Sequence, residues 1–119
     1  MIQIGKSKDV SARDLHDGET VFHVKKRVLI GPAQGAPNYV MRLFTLGKGG
    51  ATPYHTHPWE HEVFVLAGKG AVRGADGDHS IEEGDFAYVP PNEAHQFLNR
   101  GEDALEFICV VPINGESQG

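Results

Sequence analysis

Apolar residues recur along the chain in short runs, mostly alternating with polar ones, and turn-forming residues separate the runs. Side chains on a strand point to alternate faces with a period of two. On that pattern residues 21–24, 27–30, 39–46, 62–66, 70–73, 86–89, 95–98 and 105–111 read as strands. Gly31-Pro32, Ala36-Pro37-Asn38, residues 47–50, Pro90-Pro91-Asn92 and Asn99-Arg100-Gly101 supply the breaks. Asp76-Gly77 is a hairpin signal. Residues 10–15 alone hint at a helical turn. In the last strand Leu105, Phe107, Cys109 and Val111 form one wholly apolar face, while Glu106 interrupts the other. Short strands at near-regular spacing predict an all-β sandwich or barrel. Residues 1–20 read as an N-terminal arm and residues 114–119 as a frayed tail.

Composition sharpens this picture. A length of 119 residues fits a single domain. Fifteen glycines and seven prolines favour many turns over long helices. With 39% hydrophobic and 23% charged residues, the chain lies outside the disordered range. A net charge of −5 argues against nucleic acid as a partner, which needs a concentrated basic face. The one basic cluster, Lys25-Lys26-Arg27, leads into Val28-Leu29-Ile30 and reads as a solvated strand end rather than a phosphate site. Cys109 is the sole cysteine, which excludes an internal disulfide and a thiolate zinc cluster. No apolar run approaches the roughly 18 residues of a membrane span. Met1 to Lys6 carries no apolar leader segment, so the expected compartment is the cytoplasm.

The histidines point to chemistry. There are seven, and five fall between His55 and His95. His55, His57 and His61 share one parity, although Pro58 lies between them, and His95 follows the loop Pro90-Pro91-Asn92-Glu93-Ala94. Imidazole suits divalent manganese, iron, nickel, copper or zinc. Spacing alone leaves metal binding and structural packing evenly matched. His16, His23 and His79 lack such company and read as surface residues.

These stretches resemble the two motifs of the cupin superfamily. The first runs Gly49, five residues, His55-x-His57, three residues, His61 in the glutamate place, six residues, Gly68. The second runs Gly84, five residues, Pro90, Asn92 in the glycine place, His95, three residues, Asn99. Asn for Gly is a mild departure, because Asn tolerates left-handed backbone. Fifteen residues between Gly68 and Gly84 are similar to the spacing of small microbial cupins. Most metal cupins carry three histidines and one glutamate. Here the intervals fit His61 at both ends, and the adjacent Glu62 falls on the opposite parity. The runs 27–31, 36–45 and 57–62 look similar to the single-domain, four-histidine manganese cupins. That resemblance implies an antiparallel jelly-roll barrel, a homodimer built through the N-terminal segment and residues 21–30, and an octahedral metal with two open cis positions.

Several functional expectations follow. The resemblance makes His55, His57, His61 and His95 the metal ligands, with Mn2+ as the expected ion and Fe2+, Ni2+, Cu2+ or Zn2+ as alternatives. Protons compete for imidazole, so affinity is expected to fall below about pH 6. Phe107 and Cys109 are candidates to line a substrate pocket, with plain core packing the equal alternative. Arg42, in an otherwise apolar strand, either binds a substrate carboxylate in the cavity or lies on an exposed or dimer face, the structural role being slightly favoured. Tyr54 and Trp59 flank the motif, and loop packing suits them better than a pocket wall. The leading function is a metal-dependent oxidoreductase of dioxygenase type acting on a small organic molecule. A sugar-phosphate isomerase or epimerase, or a non-enzymatic binder of metal and small ligand, are the alternatives. An isomerase wants a positioned general base, and no carboxylate near the motif shares the histidines' parity.

Overall fold

The computed structural model describes residues 1–118. Its strands are β1 Arg13–Asp14, β2 Phe22–Ile30, β3 Tyr39–Ala51, β4 His61–Ala67, β5 Lys69–Gly74, β6 Gly77–Glu82, β7 Phe86–Val89, β8 His95–Asn99 and β9 Leu105–Pro112. Short 3-10 turns cover Ser7–Asp9, Pro32–Gln34 and Ile113–Gln118. Neighbouring strands pair antiparallel in the order β6-β5-β8-β3-β9-β4-β7, with β2 on β3 and β1 on β2. The result is the all-β barrel that the punctuated pattern predicts.

β3 organises the barrel. Tyr39 to Leu46 pair with β9 on one side, while Ala51 pairs with Leu98 of β8 and with Phe22 of β2. The strand outruns its expected end at Leu46 because glycines let it bend: Gly49 has φ +73. His23, at φ +54, forms the matching irregularity in β2. Inward positions alternate along β4 and β9 as expected, and Leu105, Phe107, Cys109 and Val111 are all buried. Phe107 stacks between Phe44 and Phe97, with ring centroids at 5.4 and 4.7 Å.

Three local expectations are corrected. Residues 10–15 form no helical turn; Arg13 and Asp14 pair with Lys26 and Lys25, and Leu15 N–H donates to Val24 O at 2.8 Å. Pairing with the free edge of β2 satisfies more backbone groups than one isolated turn would. The two runs 21–24 and 27–30 are one strand, because Lys26 does not face solvent: it is 6% exposed and its Nζ lies 2.9 Å from Glu116 Oε1. β6 was hidden by its composition, since Asp78, His79 and Ser80 are all exposed. The C-terminal turns run over Ile113–Gln118, and Gly119 lies outside the described residues.

Candidate metal centre

No strand runs through residues 55 to 61, as the proline between His57 and Trp59 would suggest. The four histidines meet because separate segments deliver them. Past Ala51 the chain follows β8, and His55 and His95 exchange both backbone hydrogen bonds at 3.1 and 3.0 Å. Their rings lie 4.8 Å apart, centroid to centroid. His57 is fixed from below by the second loop, where Asn92 N–H donates to the His57 carbonyl at 2.6 Å. Asn92 has φ +67, the left-handed conformation that its place in the motif requires. Trp59 stacks on His57 at 4.5 Å and 7°. His61 opens β4 facing inward, whereas Glu62 faces outward.

Ligand atoms of His55, His57 and His95 all lie within 4.8 Å of one another, and the Nε2 atoms of His55 and His57 are 3.1 Å apart. Two imidazole nitrogens so close fit a shared cation, since metal–nitrogen bonds run about 2.0–2.1 Å at zinc. His61 falls outside this tightest group, yet its ring is 4.7 Å from His95 and 5.3 Å from His57. Its Nε2 is buried without a hydrogen-bond partner among the described residues. An orphaned nitrogen of this kind is costly in a folded core unless something binds it.

The outward ring nitrogens are held in place. Nδ1–H of His95 donates to the Glu93 carbonyl at 2.9 Å, which leaves Nε2 as the lone-pair atom. Nδ1 of His61 lies 3.3 Å from Cys109 Sγ. All four rings are tuned to stay neutral. Burial, and then the neighbouring imidazoles, bring His55 down to about 4. Burial, with His95 and Arg42 beside it, brings His61 to about 3. His57 and His95 are lowered as well, chiefly by burial. Neutral rings keep the lone pairs a metal needs.

His55, His61 and His95 open onto a cavity of about 280 Å3. Phe107 and Cys109 line it, as does Phe97, and Arg13 and Lys26 supply cations, but among the described residues no aspartate or glutamate contributes to the wall. Arg42 sits in the barrel interior. It is fully buried, faces inward from β3 and is not among the cavity-lining residues. Its Nη2 donates to Cys109 Sγ at 3.1 Å. Tyr54 is exposed and half-buried Trp59 packs on His57; His16, His23 and His79 are exposed, as expected. Sequence reasoning missed Lys26 and Glu116. The signal for Lys26 was available, because it shares the parity of the inward-facing Val24; nothing in the sequence marks Glu116.

Comparison with known proteins agrees with this geometry. Residues 42–111 match the cupin domain family. A 1-methylthio-D-xylulose 5-phosphate methylsulfurylase from Rhodospirillum rubrum is 30% identical over 71 residues, 60% of this chain and 46% of that protein. An oxalate-binding protein from Thermotoga maritima is 32% identical over 74 residues, 59% of this chain and 61% of that protein. The matched stretch thus spans about half to three-fifths of these relatives. The polyketide cyclase RemF from Streptomyces resistomycificus superposes with a TM-score of 0.86 at 28% identity, covering 95% of this chain and 80% of that one. A barrel of this topology, a cluster of histidines that could hold a metal, and the family match across residues 42–111 together make the chain a member of the cupin domain family.

Proposed function

We propose that this cupin binds manganese through His55, His57, His61 and His95 and acts as an oxidoreductase of dioxygenase type on a small organic molecule. The observation that carries the reading is a cavity wall with histidines and no carboxylate. Bound among four neutral imidazoles, a divalent metal keeps its full charge and supplies a Lewis-acid centre for oxygen donors and an oxidant. The imidazoles would hold the ion, and Phe44, Phe97 and Phe107, which line the cavity, would pack against the apolar body of a substrate and exclude water. The donor set also accepts Fe2+, Ni2+, Cu2+ or Zn2+; manganese follows from the four-histidine subgroup. The reading includes a homodimer in the cytoplasm, and light scattering at micromolar concentration tests the assembly.

Metal analysis of protein purified without added metal, followed by oxygen uptake on a panel of small organic acids and enols, tests the function. Wild-type protein should retain one metal per chain. His61→Ala should lose most of it together with any oxidation, while Glu62→Ala retains it. The reverse outcome would mean a three-histidine, one-glutamate site in a register shifted by one. A second reading, a ligand binder without turnover, is favoured by the likeness to the Thermotoga maritima oxalate-binding protein. Metal-dependent ligand binding with no oxygen uptake would select it. Ketose–aldose interconversion would instead select an isomerase, for which the cavity wall offers no carboxylate base.

A further inference from the structure

Arg42 is the fully enclosed cation of the barrel, 0% exposed on an inward position of β3. Guanidinium keeps its charge in any protein environment, so burying it demands partners. Two of its contacts go to a single residue: Nη2 donates to Cys109 Sγ at 3.1 Å, and Nε to the Cys109 carbonyl at 3.5 Å. Glu116 Oε1 stands 3.8 Å from Nη1, and the guanidinium carbon lies 5.0 Å from the centre of the Phe44 ring. The sulfur so gripped is the one 3.3 Å from His61 Nδ1, and His61 Nε2 has no hydrogen-bond partner among the described residues. When His61 binds a metal through Nε2, its ring proton sits on Nδ1, and Cys109 Sγ is the acceptor within reach.

We propose that Arg42 is a positioning residue: through Cys109 Sγ it holds His61 as the Nδ1–H tautomer, with the Nε2 lone pair free for a metal. This deepens the four-histidine reading and rests on it. Arg42 itself is not among the cavity-lining residues. The buried arginine is thereby explained by the ligand two contacts away. A thiol is a weak acceptor, and a fixed sulfur position makes the most of it.

Two measurements test this: Mn2+ affinity, and pulsed EPR of the Cu2+-loaded protein. The EPR counts coordinated imidazoles, and the quadrupole coupling of each remote nitrogen reports the hydrogen bond made by its N–H. Wild type should show four imidazoles. Arg42→Met should weaken Mn2+ binding about 10- to 100-fold, the range typical of lost outer-shell partners, and should shift the remote coupling of one imidazole only. Cys109→Ala should do the same, and Cys109→Ser, which restores an acceptor, should recover most of the affinity. A merely structural arginine would lower thermal stability and leave the coupling unmoved. Four imidazoles with coupling and affinity unchanged in Arg42→Met would overturn the proposal while leaving the four-histidine site standing. Three imidazoles in wild type would overturn the site itself, and the proposal with it. Should Arg42→Met not fold, Arg42→Lys decides by the same coupling, since an ammonium cannot bridge sulfur and carbonyl as the planar fork does; an unshifted value overturns the proposal.

Discussion

Burial prepares the imidazoles for a cation by making protons poor competitors. In the unfolded chain each histidine titrates near the ordinary 6.5, but folded His55 and His61 take a proton only near about 4 and about 3. Between those limits the unfolded state holds more protons, so acid favours unfolding. Stability of the metal-free protein should fall as pH drops from about 6.5 toward about 4, measured as urea midpoints. His61→Phe should flatten part of that slope; an equally steep profile in the variant would refute the assignment. Metal loss should be displaced too. The folded site resists protonation well below the pH of about 6 that ordinary histidine chemistry suggests, so release should begin nearer the lowered values. Which histidines face inward was legible in the motif intervals. The partners of their second nitrogens were not, because Glu93 O and Cys109 Sγ are set by loop shape and strand register.

Among elements, the turns carry the most sharply constrained residues. Gly68 joins β4 to β5 at φ +89, and a Cβ there would stand 2.4 Å from the carbonyl oxygen of Ala104. Gly68→Ala should therefore cost about 2 kcal/mol or more, combining the left-handed penalty with a backbone displacement. Thermal unfolding reads this, and a change under roughly 0.5 kcal/mol, the ordinary surface range, would be incompatible with it. Strands with alternating apolar faces, such as β9, could be read from the pattern nearly residue by residue. Polar β6 could not, because β5 defines it through pairing and its own side chains do not. The same holds for β1, two exposed residues that are a strand solely because β2 has an edge to offer.

Across the whole molecule, one carboxylate ties the C-terminal turns to the barrel. Glu116 meets Lys26 of β2 at 2.9 Å and Arg42 of β3 at 3.8 Å. Two inward cations thus share one anion, and removing it leaves both charges without an ionic partner. Glu116→Gln should destabilise the fold by about 1–3 kcal/mol, below the full cost of a broken buried pair because the glutamate is partly exposed. Glu102→Gln breaks the surface pair with Lys48 and should cost less than about 1 kcal/mol. Equal effects in the two variants, compared by denaturant midpoint, would contradict the buried cluster. Long-range pairing of this sort leaves no local trace at Glu116, and the one local hint at Lys26 is the parity it shares with inward-facing Val24.

The stack of Trp59 on His57 has a practical side. Trp59 is the single tryptophan of the chain, and its indole lies flat on His57, with the backbone at Gly115 close against it. Every photon the indole emits therefore leaves from van der Waals distance of a candidate ligand. A paramagnetic ion seated on that imidazole should quench the emission, so a cuvette and a fluorimeter would follow loading, release and exchange at this centre in real time, without a label.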